Sequence, residues 1–309
     1  MRRVLILLAL ALLIACAQEE GKQVNIEQSP FVGGTQGVEL SFQDVRESVF
    51  DSGTDPFDVI VKLENKGESP VEKATARVEL SGINPAEFGK TPQELIQNPP
   101  DDLVETRKDP QGNIIPGSPV FVEFRGLNYQ KALAGAQAQF TLRAESCYLY
   151  RTRAVSKLCV RKNLLSPRPG GICSVSEAKQ VHNSGSPVHI QNLKQTTRSG
   201  NKIGFSFEVA NIGSGELYER NSNCDKTNRK SSNRAYLIVN TGLSGLQCTG
   251  LNPVQDGAEG WITLYGGRKQ ISCTQTISNP ADYEQLINIE AIYDYSQSAQ
   301  TNIIVKSSE

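Results

Sequence analysis

Cysteine is the most reactive residue type in this chain, and its seven residues fall into two groups. Cys16 stands alone at the end of an apolar run, and the other six lie far downstream. An even set of thiols in an exported chain is typical of disulfides. The six are Cys147, Cys159, Cys173, Cys224, Cys248 and Cys273. Free buried thiols are the alternative, and zinc is disfavoured because the sequence has no C-x-x-C pair.

The start of the chain has the layout of a secretory signal. Arg2 and Arg3 precede an apolar run over residues 4–15, which ends on the small residue Ala15. This run is too short to span a bilayer, which requires ~20 apolar residues. We therefore interpret residues 1–15 as a signal peptide.

The end of this run also resembles the lipobox of prokaryotic lipoproteins, in the residues Leu13, Ile14, Ala15 and Cys16. The resemblance implies lipidation of Cys16, with a diacylglyceryl thioether on its sulfur, and removal of the residues before it. It places the protein outside the cytoplasm, anchored to the membrane at the cell surface or the periplasmic face. The polar, Gly-rich residues 16–37 would then form a flexible tether.

Other side chains that could do chemistry are sparse. Asp51, Asp55 and Asp58 crowd carboxylates into one turn and are candidate Ca²⁺ ligands, although Asp is also a common turn former. His182 and His189 could form a metal pair or supply a general base. Their Gly/Ser/Pro-rich surroundings favour solvated loop histidines instead.

No catalytic motif is present: there is no G-x-S-x-G, no H-E-x-x-H and no phosphate loop. We therefore predict no catalytic residue, no cofactor and no enzymatic activity. The net charge is −1, so the chain has no excess of basic residues and nucleic acid is not expected as a partner.

Composition predicts an all-β protein. Gly and Pro are frequent, Met occurs once, and short runs of Val, Ile and Thr are bounded by turn residues. The length of 309 residues suggests two domains. We expect two tandem Ig-like antiparallel β-sandwiches after the signal peptide.

Two series of alternating strands define the expected domains. The first β-sandwich covers residues 38–163, a Pro/Gly-rich linker covers 164–171, and the second β-sandwich covers 172–309. The first series contains predicted strands at 38–42, 57–63, 74–80, 120–124, 140–150 and 154–160. The second contains predicted strands at 188–193, 203–209, 235–239, 261–264, 270–274, 287–295 and 302–305.

The two halves read as copies of one another. An alternating strand ends in Asn65-Lys-Gly67 in the first half and in Asn211-Ile-Gly213 in the second, a turn chemistry that tolerates positive φ. Tyr148-Leu-Tyr150 likewise matches Tyr293-Asp-Tyr295. Both matches have an offset of about 145 residues, which indicates a tandem duplication.

This alignment suggests a disulfide pairing. It sets Ile292 and Ile304 at the positions of Cys147 and Cys159, so the two cysteines are replaced together. Positions that change as a pair are expected to be neighbours, and a turn near Arg153 would place these two cysteines across a hairpin. We therefore predict a Cys147–Cys159 bond. The remaining four cysteines allow three pairings, of which we favour Cys248–Cys273 with Cys173–Cys224.

The strand that ends in Asn-x-Gly is similar to CARDB-type cell-adhesion-related domains of prokaryotic surface proteins. The segments 147–152 (CYLYRT) and 158–160 (LCV) also resemble a motif of uncharacterised archaeal secreted proteins. These resemblances imply an Ig-like extracellular module without a defined activity. Cys147 and Cys159 depart from the CARDB pattern.

The connection over residues 84–119 is long for a sandwich. Loops beyond ~12–15 residues tend to be functional or disordered, although this one could instead cover an open sheet edge. Thr91 and Glu94 form a capping box that predicts a helical turn at 92–97.

These features favour a non-catalytic binding, adhesion or structural module of the cell envelope, with a protein or glycan at the cell surface as its partner. An accessory subunit that docks a membrane or secretion complex is the alternative. An enzyme with an unrecognised site is the third possibility.

Overall fold

The computed structural model describes residues 29–162, 172–198, 201–278 and 281–308. The all-β prediction is confirmed: the described residues form strands and three short 3₁₀ turns. No helix of membrane-spanning length and hydropathy occurs in this part of the chain. The predicted signal peptide, Cys16 and the linker 164–171 lie outside the described residues. The predicted tether 16–37 is wrong for its last part, because the Val32 and Gly33 amides donate to the Glu68 carboxylate at 2.9 Å and the Gly37 carbonyl oxygen accepts the Lys66 amide.

Nine strands belong to the first half of the chain. They are β1 (Val38–Gln43), β2 (Ser48–Phe50), β3 (Phe57–Asn65), β4 (Ala76–Ser81), β5 (Ile96–Gln97), β6 (Arg107–Lys108), β7 (Ile114–Ile115), β8 (Val120–Leu127) and β9 (Gln137–Val160).

Ten described strands belong to the second half. They are β10 (His182–Asn183), β11 (Val188–Arg198), β12 (Lys202–Asn211), β13 (Glu216–Tyr218), β14 (Arg234–Asn240), β15 (Leu246–Thr249), β16 (Val254–Gln255), β17 (Glu259–Thr263), β18 (Arg268–Thr276) and β19 (Tyr283–Lys306).

One ten-stranded sheet runs through both halves, in the order β16-β17-β14-β19-β9-β4-β5 with β2, β10 and β13 at its margins. We call it the shared sheet. A three-stranded sheet, β1-β3-β8, belongs to the first half, and a four-stranded sheet, β11-β12-β18-β15, to the second. Strands β6 and β7 form a separate hairpin. Most buried apolar side chains of the three larger sheets join in one core cluster, and Val160, Ile203 and Ile277 form a smaller one.

The long strands β9 and β19 hold the shared sheet together. They pair antiparallel over all 24 residues of each, from Gln137↔Lys306 to Val160↔Tyr283. A strand of that length extends for about 80 Å at the usual rise per residue. The two halves of the chain are therefore joined by main-chain hydrogen bonds. The division at 38–163 and 172–309 stays a prediction about the sequence repeat.

The predicted turn near Arg153 is wrong, because residues 140–150 and 154–160 belong to one unbroken strand. Tyr148, Tyr150, Thr152 and Ala154 are all buried on the same side of it, so the two-residue period continues through the expected turn. The predicted strands 287–295 and 302–305 are likewise parts of β19.

The centre of the long pair has an approximate two-fold symmetry. Tyr148 pairs with Tyr295 and Tyr150 with Tyr293, so each tyrosine faces the counterpart of its neighbour. All four are buried, with ring centroids 5.5 to 6.4 Å apart between neighbours. The predicted duplication thus has a structural counterpart in a matched tyrosine cluster at the midpoint of the shared sheet.

The Asn-x-Gly turns make the same contacts in both halves. The Tyr150 hydroxyl donates to Asn65 Oδ1 at 3.1 Å, and the Tyr295 hydroxyl donates to Asn211 Oδ1 at 3.2 Å. Gly213, like its counterpart in the first half, lies outside the positive-φ region, so the expected reason for glycine is wrong. A Cβ at either glycine would overlap the tyrosine hydroxyl. Glycine is required there by close packing.

Candidate functional site

All six downstream cysteines form disulfides, as predicted. The bonds are Cys147–Cys224, Cys159–Cys173 and Cys248–Cys273. The last matches the expected pairing, and its two residues are direct cross-strand partners on β15 and β18. The predicted Cys147–Cys159 and Cys173–Cys224 bonds are wrong.

The continuity of β9 explains the first error. Cys147 and Cys159 are twelve residues apart on one extended strand, which separates their Cα atoms by about 40 Å. The Cα atoms of the three disulfides in this structure are only 4.0 to 6.0 Å apart. Ile292 and Ile304 are equally distant on β19, so their joint replacement does not indicate contact.

The three candidate calcium ligands serve separate structural roles. Asp51 accepts hydrogen bonds from the Leu133 amide and from the Ser308 amide and hydroxyl, which lower the pKa of its carboxyl to about 2. Asp55 forms two 2.8 Å hydrogen bonds with the Arg46 guanidinium.

Asp58 accepts the Gly126 amide at 2.7 Å. These three carboxylates are not among the side-chain groups of the described residues whose ligand atoms converge within 4.8 Å. Asp58 thus joins β3 to β8, and the structure does not assemble the three carboxylates into a metal site.

The two histidines also lie apart from any convergent set within the described residues. His182 is part of β10 and pairs with Val155 of β9. His189 Nε2 lies 3.0 Å from the Gly34 carbonyl oxygen, and burial lowers the pKa of this imidazole. Both histidines contribute to packing near the start of the second half.

A disulfide-held loop on the outer face of the shared sheet is the most structured polar surface. Residues 219–230 lie over β9 and β19, held there by the Cys147–Cys224 bond. Asp294, which pairs with Leu149 at the centre of the long strands, accepts the amides of Asn221 and Asn223 at 2.9 and 2.8 Å. We call residues 219–230 the clamped loop.

Asp294 is an unusual residue for the middle of a sheet. It is buried beside the disulfide, and burial raises the pKa of its carboxyl although the loop amides favour the charged form. Cys147, Cys224 and Asp294 form the one described group whose possible ligand atoms lie within 4.8 Å of one another. Because both sulfurs are oxidised, they cannot act as thiolate ligands. The group therefore works as a structural clamp.

Charged side chains tie the clamped loop to the first half as well. Arg77 donates to the Asn223 carbonyl oxygen at 2.6 Å, and Lys226 pairs with Glu145 at 2.6 Å. Cys147, Tyr218 and Cys224 form a small apolar cluster of their own beneath the loop. The loop is thus fixed by side chains from both halves of the chain.

Two polar cavities flank this loop, with volumes of about 410 and 590 Å³. Both are lined by Arg143, Glu145 and Lys226, and Arg77 and Glu79 line only the larger one. Arg143 donates to the Ser298 hydroxyl at 3.1 Å. Its Nε atom is buried without a hydrogen-bond partner. The cavities present charges of both signs and could take up a polar ligand.

An arginine–aromatic cluster lies at the other end of the clamped loop. Trp261 and Tyr236 are cross-strand partners with ring centroids 5.2 Å apart. The Arg220 guanidinium carbon lies 4.1 Å from the Tyr236 ring centroid and 5.4 Å from that of Trp261. Arg234 lies 5.0 Å from the Trp261 centroid. We call these four residues the arginine–aromatic cluster.

A row of paired residues extends this cluster across the outer face. Trp261, Tyr236, Ile292 and Arg151 are successive partners on β17, β14, β19 and β9. Ile292 and Arg151 line a further cavity of about 510 Å³, to which Arg153 also contributes. Tyr236 and Ile292 are buried, so this row of cross-strand partners is a strip whose accessible ends are Trp261 and Arg151.

The long connection 84–119 is folded against the first half. Only half of the predicted capping box is present: Glu94 Oε2 accepts both the amide and the hydroxyl of Thr91 at 2.8 Å, but no side chain caps the turn, which is a 3₁₀ turn at Gln93–Leu95. The β6–β7 hairpin exposes Ile114 by 59% and Ile115 by 41%. This hairpin is the most apolar projection of the connection.

Two parts of this surface escaped prediction from the sequence. The ring of contacts around Asp294 joins residues more than seventy positions apart, and no local pattern indicates it. One feature of the sequence pointed to the arginine–aromatic cluster. Trp261 is the single tryptophan of the chain. Because it precedes the buried Ile262 in the same strand, its side chain is on the opposite, outer face of the sheet.

No family model matches this chain, and neither does any curated protein. Solved structures resemble it weakly. A red sea bream transglutaminase is 12% identical with a TM-score of 0.17, over 87% of this chain and 31% of that chain. An Escherichia coli alpha-2-macroglobulin activated by porcine elastase is 9% identical with a TM-score of 0.16, over 88% and 33%.

A serine-rich repeat adhesion glycoprotein, Srr1 of Streptococcus agalactiae, is 9% identical with a TM-score of 0.16, over 84% of this chain and 98% of that chain. This chain spans about a third of the length of the transglutaminase and the macroglobulin. At these TM-scores none of the three carries an argument about fold or function.

Proposed function

We propose that this protein is a membrane-anchored extracytoplasmic lipoprotein that acts as a non-catalytic binding or adhesion module of the cell envelope. Cys16 carries the lipid, and the residues between Cys16 and residue 29 form the tether, because the Val32 and Gly33 amides are already bound to Glu68 of the folded part. The partner is a protein or a glycan at the cell surface.

Three disulfides in one chain indicate an oxidising, extracytoplasmic compartment. The export signal at residues 1–15 supports the same address independently. The lipobox resemblance then supports attachment to the membrane.

The observation that carries the binding function is the clamped loop. Its backbone is fixed by the Cys147–Cys224 bond and by two amide hydrogen bonds to Asp294, on a sheet that runs through both halves. A surface that is already ordered loses little conformational entropy when a ligand binds, which favours affinity. Polar cavities on both sides of the loop give a ligand places to make hydrogen bonds.

An accessory subunit of a membrane complex is the second candidate. The exposed Ile114 and Ile115 of the β6–β7 hairpin favour it, because apolar side chains on a projecting hairpin are suited to a protein interface. Lys108 of the same hairpin donates to the carbonyl oxygens of Ser29 and Phe31, so the hairpin lies where the tether reaches the folded part.

The anchor is tested by Cys16→Ser in the full-length protein. We expect the unchanged protein in the membrane fraction, with a lipid-modified mature N-terminus at Cys16 by mass spectrometry. The variant should be released or remain an unprocessed precursor, because Cys16 is the residue that bears the acyl chains of the anchor. A mature N-terminus downstream of Cys16 without lipid contradicts the proposal.

Cross-linking of the anchored protein on intact cells then separates the two candidates. A glycan, or a surface protein captured through the outer face, supports the binding module. A stoichiometric membrane-protein partner cross-linked at Ile114 supports the accessory subunit.

A further inference from the structure

Arg220 is held in place from both of its flanks. Its chain neighbour Asn221 donates its amide to Asp294, and Glu219 donates its amide to the Ser231 carbonyl oxygen at 2.7 Å. Cys224, four residues on, is bonded to Cys147. The guanidinium is therefore presented over the Tyr236 ring by a fixed backbone, so little ordering remains for a ligand to impose.

Arg220 and Arg234 differ in the groups that contact their guanidinium. Arg234 forms an ion pair with Glu219 at 2.5 Å. Arg220 has no such carboxylate partner within the described part of the chain, and its contacts there are with the rings of Tyr236 and Trp261. A guanidinium stacked on a ring keeps its N–H donors in its own plane, where they can bind a carboxylate through two parallel hydrogen bonds.

Trp261 adds an aromatic surface next to these donors. Its side chain is half-buried, and it stands at the end of the strip that leads through Ile292 to Arg151. Three interstrand spacings of about 4.8 Å make this strip roughly 14 Å long. The Arg151 side chain is 51% exposed, with Glu290 3.4 Å away. Because Tyr236 and Ile292 between them are buried, a short stretch of an extended polymer would contact the strip at these two ends.

We infer that the arginine–aromatic cluster is a binding site for a carboxylate-bearing saccharide, such as a uronic-acid unit of an acidic glycan. Arg220 binds the carboxylate through its free N–H donors, and Trp261 packs against the sugar ring. The next units of the chain follow the strip toward Arg151. This inference names the ligand class for the binding module proposed above and rests on that proposal.

The single tryptophan makes the test direct, because all indole fluorescence of the protein comes from the site. The full-length protein in detergent is titrated with polygalacturonate. We expect saturable quenching of Trp261, which neutral dextran does not produce. Arg220→Gln should weaken the apparent affinity roughly tenfold or more, as expected for the loss of a charged hydrogen-bonding partner.

Arg229→Gln is the matched control, since Arg229 is an exposed arginine of the same loop. It should bind polygalacturonate like the unchanged protein. A non-reducing disulfide map of both variants verifies that the clamp is intact, so loss of binding is not a folding defect.

Two further titrations distinguish other ligands. Dextran sulfate and polyglutamate should quench at least tenfold less effectively than polygalacturonate. Equal responses to all three polyanions, equal losses in both arginine variants, or no quenching by polygalacturonate would each overturn the inference. The assay is done in solution and does not depend on Cys16, so its failure leaves the anchor test unaffected.

Discussion

Gly67 and Gly213 each lie against a buried hydroxyl, and this contact explains why the same three-residue turn occurs in both halves. The Asn65 side chain receives the Tyr150 hydroxyl and donates to the Ser69 carbonyl oxygen at 2.7 Å. Asn211 receives the Tyr295 hydroxyl and donates to the Gly215 carbonyl oxygen at 3.0 Å. In each half, one asparagine thus accepts the hydrogen bond of a cluster tyrosine and donates a hydrogen bond within the turn.

We expect Gly67→Ala to destabilise the protein by about 1–3 kcal/mol, the usual cost of overpacking a filled interior. The added Cβ would overlap the Tyr150 hydroxyl and the Gly185 carbonyl oxygen. The measurement is the free energy of unfolding in urea, with disulfides intact.

Gly135→Ala is the matched control for this substitution. An added Cβ there meets no atom within 4 Å, and its backbone lies outside the positive-φ region. Its effect should stay within about 0.5 kcal/mol. Equal costs at the two glycines would contradict the packing explanation.

Residue-level prediction from the sequence succeeded where chemistry was local. The membership of all six cysteines in disulfides followed from their even number beside an export signal, and the favoured Cys248–Cys273 pair proved to join the adjacent strands β15 and β18. The Cys147–Cys224 bond spans 77 residues and depends on the return of the clamped loop to the opposite face of β9. No local pattern encodes that return.

At the scale of elements, β9 was the hardest strand to predict in full. A turn was predicted near Arg153, yet Arg153, like Arg151, is an outward-facing residue of a strand whose other face is buried. Residues 137–160 contain neither Gly nor Pro, which was the available signal against a turn. Most other predicted strands match observed ones within a few residues.

Arg153→Pro tests the continuity of β9. The Arg153 amide donates to the Ser184 hydroxyl at 3.0 Å in the middle of the strand, and proline would remove this donor and disturb the ladder. We expect a loss of stability of roughly 1–3 kcal/mol beyond that of Arg153→Ala, which removes only the side chain. If proline were tolerated as well as alanine in urea unfolding, a turn at this position would be indicated instead.

At the scale of the whole molecule, each half completes the other. The end of β19 pairs in parallel with β2 of the first half, through Ile304 and Ser48. The end of β9 reaches the second half, where the Gln195 side chain bonds both the amide and the carbonyl oxygen of Cys159 at 2.8 and 2.7 Å. The duplication was predictable from matched motifs, whereas this exchange of strand ends depends on long-range pairing that the motifs do not specify.

The clamped loop of the second half is bonded to β9 of the first half on the outer face of the shared sheet. Peptide mapping of the mature protein under non-reducing conditions tests it most directly. We expect one fragment that joins Cys147 to Cys224 and another that joins Cys159 to Cys173. A fragment that joins Cys147 to Cys159 would restore the hairpin and contradict the continuous strand, the clamp and the binding surface built on it.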